Sequence, residues 1–214
     1  MREEEISRIW RAELRLPVGL TKKQILRFWA AEDKPYTVRV EAVKEYGKKF
    51  NTHCLIETGT YRGDMIRATV NDFDKIISIE LDELLYEKAK SKFSQEPRIT
   101  IVHGDSGKVL PKILQTITEP CLFWLDGHYI PLTTNTARGD RDTPIMQELE
   151  HILNHQVKNH VILIDDARCF IGPNPVLHDY PTIQKLQDFI IKRRPDLVFE
   201  VRDDIIRIHQ KRFS

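Results

Sequence analysis

No apolar run in this chain approaches the roughly 20 residues that a helix needs to cross a bilayer, so no membrane partner is expected. The first residues, Met1-Arg2-Glu3-Glu4-Glu5, lack the apolar core of a secretory signal, which makes a cytoplasmic location the expectation. Cysteine is scarce. Cys54, Cys121 and Cys169 are an odd number and widely spaced, and two of them fall in predicted strands. They read as reduced structural thiols, with neither a disulfide framework nor a zinc set. Charge of one sign is missing too: 33 basic residues face 32 acidic ones, for a net charge of +1. Without a domain-scale basic field, nucleic acid is not the expected partner. Lys192-Arg193-Arg194 and Lys211-Arg212 read as solvated ends of a helix and of the tail. Internal repeats and low-complexity tracts are absent.

What is present is a globular composition. The chain has 214 residues, 41% hydrophobic and 30% charged, enough for one domain with a full core and a small appendage. Residues 1–50 form that appendage and read as helical. Ile6, Ile9, Trp10 and Leu14 recur at helical spacing; Thr21 caps a second helix with Ile25, Leu26, Phe28 and Trp29. After Pro35 a third helix runs to about Lys49 with Val40, Val43 and Tyr46. These helices pad one side of a sheet or cap a pocket, with Trp10 or Trp29 as a wall.

Residues 51–214 form the main domain. Short apolar runs at 54–57, 76–80, 99–102, 121–126 and 161–165 alternate with amphipathic helical stretches. The clearest stripe is Val109, Leu110, Ile113, Leu114 and Ile117, and another helix starts at Thr143-Pro144. Such alternation predicts a parallel sheet with crossover helices. Two strands with almost no linker, 197–202 and 204–208, predict an antiparallel hairpin at the end. The expected fold class is α/β: a three-layer, Rossmann-like sandwich on a seven-stranded, mostly parallel sheet.

Ligands of such sheets bind outside the carboxyl ends of the strands, and polar residues gather there. The first strand runs into Glu57-Thr-Gly-Thr-Tyr-Arg-Gly63, a turn bracketed by Gly59 and Gly63 ahead of a helix, suited to presenting backbone N–H groups to a nucleotide-like ligand. The second strand ends in Glu80, 21 positions after Gly59, where an acid accepts hydrogen bonds from ribose hydroxyls. The third leads into His103-Gly-Asp105-Ser106. Here Asp105 can accept from an exocyclic amine and Ser106 can cap the next helix. The fourth ends at Asp126 and the fifth at Asp165-Asp166.

The first of these motifs resembles that of class I S-adenosylmethionine-dependent methyltransferases, in the Glu-x-Gly-x-Tyr-x-Gly form of the catechol and caffeoyl-CoA O-methyltransferases. Ile79-Glu80, Gly104-Asp105-Ser106 and Leu125-Asp126-Gly-His128 resemble the next three motifs, in order. The resemblance covers roughly residues 40–210. It implies that Gly59 with its neighbours Glu57, Thr60, Tyr61 and Gly63 approaches the methionine part of S-adenosylmethionine. Glu80 would hold the ribose, and Asp105 and Ser106 would flank the adenine, with Asp126 beside the cofactor. Asp126, Asp165 and Asp166 also resemble the metal site of metal-dependent O-methyltransferases, in the Asp-Asp form of the macrocin-type sugar enzymes. That implies a divalent cation, magnesium by its preference for hard oxygen ligands, which acidifies an acceptor hydroxyl. The implied partner is a small-molecule acceptor; self-association into a homo-oligomer is compatible with the sequence.

Two departures from the pattern matter. Catechol-type enzymes carry a lysine three positions after the first metal Asp, where Tyr129 stands here, so His128 is the expected catalytic base beside Asp126. Asp64 stands where a serine often follows the last glycine. Other readings carry less. Tyr86 and Lys90 have the Tyr-x-x-x-Lys spacing of short-chain dehydrogenases but lie too close to the turn. His151 and His155 could hold zinc at i, i+4 but lack a third ligand, so an exposed helix face is expected. The long polar loop 127–142 is expected to be a lid or substrate-selecting loop. The competing function is a non-catalytic nucleotide-binding or regulatory module on the same fold.

Overall fold

The computed structural model describes residues 34–128, 137, 139, 141, 143–173 and 179–211. The expected helices carrying Trp10 and Trp29, Tyr129 and most of the loop 127–142 lie outside the described residues.

Seven strands form one sheet in the order β3-β2-β1-β4-β5-β7-β6. They are β1 (Cys54–Thr58), β2 (Lys75–Glu80), β3 (Ile99–His103), β4 (Cys121–Leu125), β5 (Val161–Ile164), β6 (Leu197–Arg202) and β7 (Ile205–Gln210). Strands β1 to β5 pair in parallel, and β7 runs antiparallel to both β5 and β6. The hairpin between β6 and β7 turns on Asp203 and Asp204, both at positive φ. Each predicted strand is present, with ends moved by one or two residues.

The central strands β1, β4 and β5 are buried along their whole length, which is why they read as continuous apolar runs rather than alternating ones. Successive side chains feed two cores. Cys121, Phe123 and Leu125 of β4 join the core under α4 (Ser106–Leu114), α5 (Ile145–Asn154) and α6 (Ile183–Arg193). Leu122 and Trp124 join the core on the other face, under α1 (Tyr36–Phe50) and α2 (Asp64–Thr69). A further helix, α3 (Glu83–Lys92), packs beside β2 and β3 and buries only Ala89. Helix α1 thus covers one side of the sheet, and its Tyr36 and Arg39 also reach the cavity described below. No described helix is long and apolar enough to cross a membrane.

Candidate active site

Five parallel strands, β1 to β5, end on one cavity of about 430 Å³. Its wall takes Gly59 and Tyr61 from beyond β1, Glu80 from the end of β2, Asp105 and Ser106 from beyond β3, and Asp126 from beyond β4. Backbone geometry explains the glycine. Gly59 has φ +88°, and a Cβ placed on it would lie 2.5 Å from the backbone oxygen of Asp126. Only glycine lets the turns after β1 and β4 touch. The next turn is held from the sheet: Gly59 N and Thr60 N both donate to the carbonyl of Ile79. Tyr61 sits at φ 47°, unusual for a residue with a side chain, and its N–H donates to Glu80 Oε2 at 2.7 Å. The other Glu80 oxygen accepts from Asp82 N at 2.9 Å. Each carboxylate oxygen has a second lone pair left, so this anchored acid can still accept from a diol in the cavity.

The remaining expected cofactor residues divide. Asp105 lines the cavity but also caps α4, its Oδ1 accepting from Gly107 N at 2.9 Å. Ser106 is therefore the first helical residue and not the cap. Glu57 and Thr60 are buried behind the turn, where Ser78 Oγ donates to Glu57 Oε2 at 2.5 Å and lies 2.6 Å from Thr60 Oγ1. Burial pushes Glu57 up to about 8, so it supports β1 as a neutral acid. Gly63 faces away from the cavity. It precedes α2 at φ 69°, and a Cβ there would meet the Phe93 ring at 2.5 Å.

The acid end of the cavity differs from the expected trio. Asp165 and Asp166 stand at the end of β5, almost wholly buried. Arg39 of α1 reaches both: its Nε is 2.5 Å from Asp165 Oδ2 and its Nη2 is 3.0 Å from Asp166 Oδ1. Arg168 Nη1 lies 2.7 Å from the same Asp166 oxygen and also pairs with Asp204. His128 is clamped on both sides, Nδ1 at 3.2 Å from Asp126 Oδ1 and Nε2 at 3.1 Å from Asp166 Oδ2. Burial opposes its charge, but the hydrogen bonds and negative charges of Asp126 and Asp166 outweigh that and raise its pKa well above the usual imidazole range. The expected base is therefore a protonated donor at neutral pH. Burial raises Asp126. Its Oδ2 is the one oxygen of the three acids with no partner among the described residues.

Two sets of donor atoms lie close enough together to meet a divalent cation. Asp126, His128 and Asp166 bring one donor atom each within 4.8 Å of one another, as do Asp165, Asp166 and Asp204. The first group contains a counter-charge in His128, and the second is faced by Arg39 and Arg168. Both His128 nitrogens point at carboxylate oxygens, leaving no lone pair for a metal. All four oxygens of Asp165 and Asp166 accept hydrogen bonds or ion pairs, Asp165 Oδ1 from Asp166 N at 2.8 Å. Arg39, Arg168 and a doubly donating His128 already set positive charge against the expected magnesium trio Asp126, Asp165 and Asp166. Only Asp126 Oδ2 is left without a partner among the described residues, a poor match to a cation that takes several hard oxygen ligands.

Against models of protein families and against curated protein sequences, the chain has no match. Solved structures do match over nearly all of it. The O-methyltransferase TomG from Streptomyces achromogenes, involved in tomaymycin synthesis and in complex with SAM, aligns at TM-score 0.59 and 14% identity over 98% of each chain. The O-methyltransferase from Bacillus cereus in complex with SAH aligns at 0.58 and 15% identity, over 97% of this chain and 99% of that one. SAH-bound methyltransferase PaMTH1 from Podospora anserina aligns at 0.57 and 16% identity, over 99% and 97%.

This is the class I methyltransferase fold. The three aligned structures carry the methyl donor or its product, and this chain turns its five cavity-lining strand ends to the side of the sheet where such folds bind.

Two residues at this site escape the motif reading. Arg39 lies on the apolar face of α1 with Ala42, Val43 and Tyr46. Glu148 of α5 is 1% exposed beneath the cavity floor. Burial pushes it up to about 7, while the hydroxyls of Ser106 and Thr58 pull the other way. Its Oε1 and Thr58 Oγ1 lack a well-aligned partner among the described residues. A charged residue in step with an apolar helical stripe was the legible signal in both cases. The zinc reading of His151 and His155 finds no support, but neither does an exposed face. His151 Nε2 is 3.0 Å from the Gly107 carbonyl, and His155 pairs with His160.

Proposed function

We propose that this protein transfers a methyl group from S-adenosylmethionine to a hydroxyl oxygen of a small molecule. The observation that supports this most is the delivery of Gly59, Glu80, Asp105 and Asp126 to one cavity by four neighbouring strands. The bound sulfonium supplies an electrophilic methyl group. Glu80 accepts from the ribose hydroxyls, held by two backbone N–H groups. Asp105, fixed by its cap, accepts at the adenine end. Beyond the methyl, Tyr36 and Tyr61 frame the mouth at 44% and 43% exposure, and their ring faces suit a small cyclic acceptor. Asp126 Oδ2 takes the hydroxyl proton, because a raised carboxylate is a better base than an ordinary one. His128 holds Asp126 in place and donates. The residues at 137, 139 and 141 also line the cavity, consistent with the loop 127–142 selecting the acceptor.

Calorimetry with S-adenosylhomocysteine is the test. Binding in the micromolar range, about −8 kcal/mol, is expected, and Glu80→Ala should weaken it by roughly 1.5–3 kcal/mol. No binding by the wild type would sink the proposal. Binding without turnover across a panel of phenols and sugars would leave the regulatory module as the better reading.

A further inference from the structure

We propose that Arg39 and Arg168 are the resident cations of this site, filling with guanidinium groups the place that the resemblance gives to a divalent metal. The inference rests on the methyl-transfer reading only for its catalytic meaning; the charge arrangement stands on its own geometry.

Every nitrogen of the Arg39 guanidinium is used. Besides Asp165 and Asp166, Nη1 donates to the carbonyl of Lys34 at 2.6 Å. Arg39 is 8% exposed, and the carboxylates it meets lie 126 and 127 positions away in the chain. Arg168 closes the other side. Its backbone N donates to Asp204 Oδ1 at 2.8 Å, and its side chain bridges Asp204 to Asp166. Two adjacent buried carboxylates repel and are costly to desolvate. Something positive must face them in the folded protein, and here it is covalently part of the chain. A guanidinium suits the task, since its planar fork matches carboxylate geometry and it does not lose its proton. It also differs from a metal in one respect: its occupancy does not depend on any ion in solution. Arg39 acts through Asp165 and Asp166 and so is a positioning residue. It ties α1, one wall of the cavity, to the end of β5.

Thermal unfolding with Mn²⁺ or EDTA, in the presence of S-adenosylhomocysteine, tests this. The wild type should melt at the same temperature with millimolar Mn²⁺ and with EDTA. Arg39→Gln should melt lower and should acquire a rise in melting temperature with Mn²⁺, because it exposes two carboxylates with too little positive charge. Arg39→Lys should lie between, without the metal response. An Arg39→Gln protein that ignores Mn²⁺, or a wild type stabilised by it, overturns the proposal. Should the glutamine variant not fold, Mn²⁺ paramagnetic resonance on the wild type decides. A free-ion spectrum throughout the titration supports the proposal; saturable uptake that Asp165→Asn abolishes overturns it. Failure of S-adenosylhomocysteine to bind the wild type would remove the methyl-transfer reading and leave these metal readouts interpretable.

Discussion

The two edges of the sheet bury polar groups in opposite ways. At the carboxyl edge, Asp126, Asp165 and Asp166 are matched by His128, Arg39 and Arg168, so polar satisfaction there is ionic. At the amino edge it is neutral. Cys54 and Cys121 stand side by side in register as free thiols. Cys121 N donates to His160 Nδ1 at 3.0 Å, and His160 Nε2 lies 2.9 Å from His155 Nδ1. Burial and the neighbouring His155 push His160 down to about 4. Apolar packing would stabilise the sheet as well as either arrangement. Of these two edges, the charged one is where the cavity lies, and a fixed field in a partly dry site is what proton removal and charge transfer need. Between these two edges, it is the network of paired buried charges that accompanies the cavity.

The most severe way to break the comparison is Asp166→Asn. Three cationic groups lose their shared partner, and removing one member of a buried ion network costs about 3–5 kcal/mol. At the amino edge, His160→Leu should cost less, roughly 1–3 kcal/mol, the cost of a backbone N–H left without its acceptor. Urea denaturation of both variants at neutral pH checks the order. A larger loss in His160→Leu would mean that the ionic edge is not the more tightly coupled one.

Next in size is a pH effect whose sign differs between the edges. The folded pKa of Glu57, about 8, lies above its ordinary value of 4.5. Between those values the folded state keeps a proton that the unfolded state has released. The contribution is therefore complete below about pH 4.5 and is lost as pH rises toward 8. His160 runs the other way. Its folded value, about 4, lies below the ordinary 6.5, so its contribution is present above about pH 6.5 and is lost as pH falls toward 4. At about 1.4 kcal/mol per unit, each window is worth a few kcal/mol. Glu57→Gln should flatten the alkaline decline, and His160→Gln the acid one. If either substitution flattens the opposite limb, the groups have been assigned to the wrong edges.

Much of this was readable from the residues. Continuous apolar runs at β1, β4 and β5 announce a sheet buried on both faces, and the polar residue that ends each run marks the carboxyl edge. Gly59 was legible as a tight turn. Its close approach to Asp126 was not, because that depends on a contact 67 positions along the chain. The same holds for Arg39, whose partners a motif cannot show. For His128, the spacing from Asp126 is visible in the sequence while Asp166, its second clamp, is not. For Gly63, the sequence shows a glycine but not that its positive φ brings the backbone against the Phe93 ring. A motif shows which residue types end each strand; the contacts they make across strands depend on the fold.

The smallest expected effect concerns His155, and it tests whether the edges are independent. Because His160 Nδ1 accepts from Cys121 N–H, the ring proton of neutral His160 sits on Nε2 and donates to His155 Nδ1. His155 itself is only half-buried, so in His155→Ala water can replace the lost acceptor. The cost should be about 0.5–1.5 kcal/mol, that of an ordinary hydrogen bond. The Cys121 N–H still sets the tautomer, so nitrogen NMR should show His160 protonated on Nε2 in the variant as in the wild type. Removing His155 also removes a charge that disfavours the His160 cation, so the folded pKa rises toward 6.5 and the acid window narrows. Affinity for S-adenosylhomocysteine should not change, since neither histidine lines the cavity. A weaker affinity in His155→Ala would show that the neutral edge is coupled to the charged one through the strands, and the two could no longer be treated as separate regions.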